Sequence, residues 1–222
     1  MLLSMLFGRL WRKPRFVRKD EFMGESNMRD GVVVCFSDLD EAKKQEAVEV
    51  FLDGFGHMFT FAKTRGEQRQ LFSVSFEESL VYAYVAENHV GGVLGLGTNA
   101  KRALKLDKQI CEEIFGGSKG RMVYNMLHKI AEVPTVKKDT DLYIDYLATN
   151  NQMYHKGIAT KLLTFACQLP KYEECYIEVL SKNISAIKLY QKLEFALHKK
   201  SFNIFTFMQG LGYPVMMKKA LK

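Results

Sequence analysis

The sequence lacks the residue groupings that metal sites and disulfide scaffolds require. Its four cysteines, Cys35, Cys111, Cys167 and Cys175, show no CxxC spacing, and its five histidines form no HExxH or similar group. Most of the cysteines stand beside apolar residues, which favours small buried side chains in a reducing compartment over metal ligands or disulfides. We therefore expect no metal site and a cytoplasmic protein.

Nucleic-acid binding modules are also missing, although the chain is basic. The formal net charge of +7 suits a nucleic acid, an anionic membrane surface or an acidic cofactor, and charge alone does not choose among them. No helix-in-groove module and no basic sheet rich in aromatic residues is visible, so we expect no nucleic-acid partner. A hydrophobic content of 47% fits a folded chain with a substantial core.

The first 28 residues read as a basic and apolar arm in front of one domain at 29–222. The apolar run Met1–Phe7 is too short to span a bilayer, and the positive charges follow it, in the reverse order to a secretory signal. Two interpretations remain, an arm that packs on the domain or frays, and a peripheral membrane contact through residues 1–19. We favour the first.

The residue pattern of the first half of the chain predicts a strand, helices, a hairpin and a helical insertion. Residues 32–36 form an apolar, β-branched run, and Asp38 or Asp40 can cap the helix that follows. Residues 80–97 read as a hairpin whose glycines favour sheet packing over a phosphate loop. Residues 98–138 carry two apolar stripes at helical spacing, broken at Gly116-Gly117.

The second half alternates strands and helices. Strands are predicted at 141–149 and 175–180, helices at 158–169 and 186–193, and the last strands within 195–221. The element order predicts a mixed α/β layered sheet. Asp145 is in register with Leu147, so we expect both side chains on the same face of their strand.

The most informative stretch is LATNNQMYHKGIATKLL, from Leu147 to Leu163. A strand ends at Thr149, and a helix begins at Gly157-Ile158-Ala159 after a polar turn. Unpaired amides at a helix start and the helix dipole both favour an anion, and small residues allow a phosphate to come close. Gly157 could also be present merely because the turn needs it, but the flanking elements favour the anion site.

This stretch and the later IEVLSKNISAIKLYQKLEF resemble the two signature regions of the GNAT superfamily of N-acetyltransferases. The first matches the acyl-CoA pyrophosphate loop Q/R-x-x-G-x-G/A through Gly157 and Ala159. The second matches N-x-x-A-x-x-L-Y-x-K-x-G-F through Asn183, Ala186, Leu189, Tyr190, Lys192 and Phe195. The resemblance implies an α/β (α+β) fold with a mixed, mostly antiparallel central sheet flanked by helices, and a helical insertion between strands 3 and 4.

The resemblance also implies where acetyl-CoA binds. The strand before the loop splays from its neighbour in this family, so the backbone of Leu147 and Thr149 is expected to pair with the pantetheine arm and the thioester carbonyl. The implied acetyl-CoA contacts are Leu147, Ala148, Thr149, Tyr154, His155, Lys156, Gly157, Ile158, Ala159, Thr160, Asn183, Ala186 and Tyr190.

Three positions depart from the family pattern. Tyr154 stands where Arg or Gln is usual, His155 stands where Gly is common, and Glu194 replaces the Gly before the final Phe. The Cβ of His155 is tolerated where the local φ is negative, and the change at Glu194 concerns a turn.

Acyl transfer to an amine needs a base for the amine and an acid for the departing thiolate. Tyr190 matches the family position of the acid; its structural alternative is a half-buried tyrosine that satisfies a backbone group. Glu178 and Asp145 are candidates for the base, and either could instead pair with a cation or a backbone donor because charged side chains inside apolar strands rarely lack a partner. We prefer Glu178.

We therefore expect a GNAT-type enzyme that transfers an acetyl group from acetyl-CoA to a primary amine by direct attack, since no Cys or Ser stands in a nucleophile setting. The insertion and the strand DLYIDYLAT are similar to puromycin-type acetyltransferases, which implies a small-molecule acceptor. The alternatives are a protein N-terminal or lysine acetyltransferase and a non-catalytic acyl-CoA-binding module. We expect a monomer or a homodimer.

Overall fold

A sheet of seven strands runs through the part of the chain that the structure, a computed structural model, describes, namely residues 31–202 and 211–221. The strand order is β1-β2-β3-β4-β5-β7-β6, and only the β4–β5 pair is parallel. The strands are β1 (Val32–Cys35), β2 (Val81–Ala86), β3 (His89–Gly97), β4 (Asp141–Thr149), β5 (Glu174–Leu180), β6 (Ala196–Lys200) and β7 (Pro214–Ala220). The predicted mixed, mostly antiparallel sheet is confirmed. The predicted arm at 1–28 lies outside the described residues.

Helices cover both faces of this sheet. They are α1 (Glu41–Phe55), α2 (Arg65–Phe72), α3 (Lys108–Phe115), α4 (Gly117–Ala131), α5 (Ile158–Cys167) and α6 (Ile184–Lys192). The first four contribute to one core cluster, which includes Phe51, Leu71 and Leu127. The last two contribute to the other, which includes Leu162 and Tyr190. We call these two sides of the sheet the α1 face and the α5 face.

Local signals in the sequence place the first elements correctly. Asp40 is the N-cap of α1 and its carboxylate accepts a hydrogen bond from the Lys43 amide at 2.8 Å. Glu87 and Asn88 both have positive φ, as a two-residue hairpin turn between twisted strands requires. The predicted insertion lies between β3 and β4, and Gly116, with φ +82°, separates its two helices.

The glycines of β3 allow α5 to lie close to the sheet. A Cβ at Gly92 would lie 2.8 Å from Ile158 Cγ2 and 3.0 Å from Leu162 Cδ1. A Cβ at Gly91 would lie 2.8 Å from Ile158 Cδ1. These glycines therefore serve sheet packing, as predicted, and they set the position of the start of α5.

A bulge interrupts β4 at Asp145. Gly95 pairs with Tyr146 whereas Leu96 pairs with Ile144, so Asp145 is an extra residue on its strand. One extra residue reverses the alternation of side chains. Leu147 packs against the core of the α5 face, and Asp145 bonds to the amide of Ala103, a residue of the α1-face core. The expectation that these two side chains share a face was therefore wrong.

A Schellman motif ends α6 and holds Tyr190. The Phe195 amide donates to the Tyr190 carbonyl at 2.9 Å, and the Glu194 amide donates to the Gln191 carbonyl at 2.9 Å. The rings of Tyr190 and Phe195 lie 6.1 Å apart, the apolar contact that usually accompanies this motif. Glu194 takes the left-handed position, with φ +68°, where glycine is preferred.

We predict that Glu194→Gly is more stable than Glu194→Ala by about 1 kcal/mol, because only glycine escapes the steric cost of the left-handed conformation. Both variants lose the exposed contact between Glu194 and Lys219, so their difference isolates the backbone effect. Urea unfolding measures it. Equal stabilities of the two variants would contradict the assignment.

Candidate functional site

A gap opens between the two parallel strands at the middle of the sheet. Their pairing runs from Asp141 and Glu174 to Ile144 and Ile177. Beyond that point β4 stays paired with β3, and β5 stays paired with β7. Residues 145–149 of β4 and 178–180 of β5 therefore diverge. Within the described residues, the β5-facing edge of β4 has no strand partner there, so its backbone groups are available to an extended ligand.

The N-terminus of α5 stands at the end of the loop that follows β4. Its N-cap is Gly157, and no side chain of the described residues caps it. The first helical bond runs from the Lys161 amide to the Gly157 carbonyl, which leaves the amides of Ile158, Ala159 and Thr160 without a helical acceptor. By contrast, side chains cap α1, α2, α3 and α6, while α4, like α5, begins at a glycine without a side-chain cap. Open amides at a helix start and the helix dipole favour an anion.

Backbone conformation explains the glycine of this loop. Gly157 is left-handed, with φ +75°, and a Cβ built on it would meet nothing within 4 Å. The left-handed turn therefore accounts for the glycine, and the open space beside it is compatible with the anion-site prediction, which stays a prediction.

The residues before Gly157 differ from expectation in one respect. His155 has φ +65°, so the negative φ that would tolerate its Cβ is not present. Histidine enters this region more readily than most residues, at some cost in backbone strain. The Tyr154 side chain is 50% exposed beside it. Lys156 is exposed between them and the helix, which adds positive charge near the amides.

Tyr190 lies on the α5 face and is 8% exposed. Burial raises the pKa of its phenol to about 12, so the hydroxyl stays protonated at physiological pH. A protonated phenol can donate to a thiolate. The Schellman motif fixes the backbone from which this side chain projects.

Glu178, on β5, lies on the α1 face, which is the face opposite to that of Tyr190. Its neighbours Ile177 and Val179 both belong to the core of the α5 face, so the alternation along β5 directs Glu178 to the α1 face. The Tyr143 phenol has a pKa raised mainly by burial, then by the Glu178 charge. The acid and base candidates therefore belong to opposite faces of the sheet, and both groups act on the pKa of the Tyr143 phenol.

Asp145 forms a buried ion pair with Arg102. The guanidinium Nε donates to Asp145 Oδ1, and the Ala103 amide donates to Oδ2 at 2.7 Å. The two side chains are 5% and 6% exposed. Burial raises the pKa of the Asp145 carboxyl, while the guanidinium and the amide act against that rise. Asp145 therefore fits the alternative raised from the sequence, in which a carboxylate inside a strand pairs with a cation and a backbone donor.

Arg102 also ties the insertion to the sheet. Its Nη1 donates to the Val133 carbonyl at 2.8 Å and to Thr135 Oγ1 at 2.9 Å, and its guanidinium lies 5.1 Å from the centre of the Tyr143 ring. No motif or spacing in the sequence singles out Arg102 or Tyr143. A partner for Asp145 was foreseeable, but its identity was not, since the two residues stand 43 positions apart.

The remaining predicted contact residues lie near the start of α6. Asn183 is the N-cap of this helix, and its side-chain oxygen accepts from the Ala186 amide at 3.2 Å. Asn183 therefore has a local structural role, whether or not it also contacts a ligand. Ala186 is half-buried against the core of the α5 face.

The described residues contain neither a cluster of metal-ligating side chains nor a helix that could span a membrane. Within them, no group of three or more His, Cys, Asp and Glu residues lies in an arrangement that could hold a metal ion. No helix in the described part of the chain has the length and the apolar character needed to cross a membrane.

Solved structures share this fold at low sequence identity. An N-acetyltransferase from Staphylococcus aureus Mu50 is 14% identical with a TM-score of 0.58, and the match covers 85% of this chain and 100% of that one. A histone acetyltransferase HPA2 and related acetyltransferase from Corynebacterium glutamicum is 15% identical with a TM-score of 0.58, covering 86% and 97%. The ribosomal-protein-S18-alanine N-acetyltransferase from Escherichia coli is 13% identical with a TM-score of 0.52, covering 86% and 94%.

Comparison of sequences alone gives a family but no individual relative. No curated protein matches the chain. The family model described as "Acetyltransferase (GNAT) family" matches residues 49–195, well over half of the sequence and the part that holds the gap, the loop and both signature regions. The chain therefore belongs to the GNAT family of acetyltransferases and is an N-acetyltransferase.

Proposed function

We propose that this enzyme transfers the acetyl group of acetyl-CoA to the primary amine of a small molecule by direct attack. The observation that carries the proposal is the uncapped start of α5 at the mouth of the β4–β5 gap. The family uses acetyl-CoA as its acyl donor. A polyanionic donor with an extended arm needs fixed amides for its pyrophosphate and an unpaired strand edge for its amide groups.

Donor binding is assigned to the loop and to the strand before it. The amides of Ile158, Ala159 and Thr160 would hold the pyrophosphate, with Lys156 adding charge at the same end. The backbone of Leu147, Ala148 and Thr149 would pair with the pantetheine arm. Tyr154 and His155 would flank the pyrophosphate, in the places where the family more often has Arg or Gln and Gly.

The proton transfers are assigned to the two faces of the sheet. Glu178, on the α1 face, would take a proton from the attacking amine, directly or through a water molecule. The amine nitrogen bonds to the acetyl carbon as the carbon–sulfur bond breaks. Tyr190, on the α5 face, would protonate the departing sulfur, which a phenol of raised pKa can do at neutral pH. Asp145 remains a second candidate for the base, with its carboxylate held by Arg102 and the Ala103 amide.

A small acceptor is favoured by the position of the insertion. Leu104, Leu106 and Leu127, all from the segment between β3 and β4, line a cavity on the α1 face beside Asp145. The insertion therefore covers part of the face on which Glu178 lies. We also propose a reducing compartment such as the cytoplasm, because all four cysteines are free thiols.

We predict that Gly157→Ala weakens acetyl-CoA binding by about tenfold, or ~1.4 kcal/mol, because the new Cβ enters the space beside the amides. Binding of CoA by titration calorimetry measures this. Gly116→Ala is the matched control, since Gly116 also has a positive φ and open space around it but lies far along the chain in the insertion. Equal losses of affinity in both variants would mean that backbone strain, and not anion binding, explains the effect.

We predict that the wild-type enzyme releases free thiol from acetyl-CoA in the presence of amines, and that Tyr190→Phe lowers kcat by about 10²–10⁴-fold with little change in the KM for acetyl-CoA. Thiol release is followed over a panel of small amines, peptide N-termini and lysine. Because the pKa of Tyr190 is about 12, its deprotonation should cause no fall in rate below pH 10.

Tyr172→Phe is the control for loss of a phenol, because Tyr172 precedes β5 at the paired end of the two parallel strands. Saturable CoA binding without thiol release for any amine would favour a non-catalytic acyl-CoA-binding module. Turnover with peptide N-termini or lysine alone would favour a protein acetyltransferase.

We predict that Glu178→Gln lowers kcat/KM by about 10²-fold or more, because the amide cannot take a proton from the amine. Asp145→Asn should instead act on stability and cost about 3 kcal/mol, because it leaves the buried Arg102 charge without a counter-charge. Turnover assays and urea unfolding separate the two effects.

Glu174→Gln is the control for Glu178, because it changes the same residue type on the same face of β5 at the paired end of the strand. Wild-type kcat/KM in Glu178→Gln, together with a fall of kcat/KM in Asp145→Asn that its loss of folded protein does not account for, would transfer the base role to Asp145.

A further inference from the structure

Two of the four cysteines meet where α5 ends. Cys167 is the last residue of this helix, and Cys175 is the second residue of β5. The Cys175 thiol donates a hydrogen bond to the sulfur of Cys167. Both side chains pack in the core of the α5 face, where Cys175 is fully buried and Cys167 is partly buried. The two thiols are therefore neighbours within one chain.

A short connection fixes the end of α5 beside the start of β5. It consists of residues 168–174, and its turn contains a hydrogen bond of 3.3 Å from the Tyr172 amide to the Leu169 carbonyl. The side chains of Leu169 and Tyr172 pack against the core of the α5 face. Near the strand, the Glu173 amide donates to the Thr140 carbonyl at 2.8 Å. The contact between the two sulfur atoms is thus held by the packing on both sides of it.

The two thiols differ in acidity as well as in exposure. The hydrogen bond from Cys175 lowers the pKa of the Cys167 thiol, although burial acts in the opposite direction. Lys219, which stands opposite Cys175 in the pairing of β5 with β7, adds a positive charge that also lowers it. The same hydrogen bond, together with burial, raises the pKa of Cys175 well above its usual range. Cys167 is thus the more accessible and more nucleophilic sulfur, and Cys175 is its protonated neighbour.

We propose that Cys167 and Cys175 are a peroxide-sensitive thiol pair that closes reversibly to an intramolecular disulfide. The Cys167 thiolate attacks a peroxide oxygen, and a sulfur–oxygen bond forms as the oxygen–oxygen bond breaks. The departing hydroxide takes up the proton that the Cys167 thiol gave up. The Cys175 sulfur then attacks the sulfenic sulfur, and the oxygen leaves with the Cys175 proton as water. Two thiols lose two electrons, which hydrogen peroxide gains as it becomes two molecules of water.

The pair lies apart from the proposed chemistry. Cys175 stands opposite Leu142 where β4 and β5 are still paired, two positions before their last pair at Ile144 and Ile177. The inference is therefore independent of the acceptor and of the residues assigned to proton transfer. In a reducing compartment such a bridge is transient, because ambient thiols restore the two cysteines.

Peptide mapping of the full chain tests the bridge. Lys171 lies between the two cysteines, so trypsin releases Cys167 in peptide 162–171 and Cys175 in peptide 172–182. After treatment with hydrogen peroxide, we expect these peptides to be joined in one species about 2 Da lighter than their sum, which dithiothreitol separates. Of the four free thiols, two should be lost when they are titrated in urea.

Single substitutions test the two roles. Cys175→Ala should stop at the sulfenic acid, so dimedone should label Cys167 strongly in this variant and weakly in the wild type. Cys167→Ser should form no joined species. Cys35→Ser is the matched control and should form the bridge as the wild type does. Cys35 is also partly buried, but its sulfur contacts the Glu78 carbonyl at 3.4 Å and the Ser37 hydroxyl at 3.2 Å.

Three results would overturn the inference. They are the absence of joined peptides in the oxidised wild type, oxidation of Cys35 in preference to Cys167, and a bridge that joins only separate chains. Gel electrophoresis without a reducing agent would show such a bridge as a dimer. The mapping is carried out on the wild type, so a variant that fails to fold does not obscure the answer. None of these results would bear on the acetyltransferase function.

Discussion

The parting of two parallel strands is the constraint on which the site depends. While β4 and β5 are paired, their backbone groups satisfy one another and no ligand can enter between them. After Ile144 and Ile177 each strand continues with only its outer neighbour, and the sheet has an internal edge. An internal edge offers backbone donors and acceptors to an extended ligand without the aggregation hazard of an edge strand, because the rest of the protein surrounds it.

The bulge at Asp145 and the Arg102 ion pair stand at the point of parting. A bulge increases local twist and bends its strand, which suits a strand that must leave its neighbour. Arg102 then joins the extra residue to the carbonyl of Val133 and the hydroxyl of Thr135, so the two ends of the insertion and the start of the divergence form one hydrogen-bonded unit. A buried ion pair gives little net stability compared with apolar packing of the same groups. We propose that this ion pair instead specifies one geometry at the point where the strands part. The Asp145→Asn experiment addresses this hypothesis.

The elements whose signals are local were predictable from the sequence. Asp40 and the hairpin turn at Glu87-Asn88 act within a few residues, and the spacing of the loop and of Asn183–Phe195 identifies the family without any knowledge of packing. The bulge was not predictable, because DLYIDYLAT is polar only at Asp141, Asp145 and Thr149 and apolar at the six other positions, so it shows no strict alternation from which to read a register. The cavity beside Asp145 was equally hidden, since residues from α1, α2, the insertion and β4 meet there only in the folded chain.

In the proposed mechanism the sheet also separates the two proton transfers. Glu178 and Tyr190 belong to opposite faces of the sheet, so the proposed base and the proposed acid would act on one reaction without exchanging a proton directly. The surroundings of the two side chains also differ in charge. Burial among apolar side chains keeps the phenol of Tyr190 neutral, whereas Glu178 lies on the face where Arg102 and Asp145 already place charge.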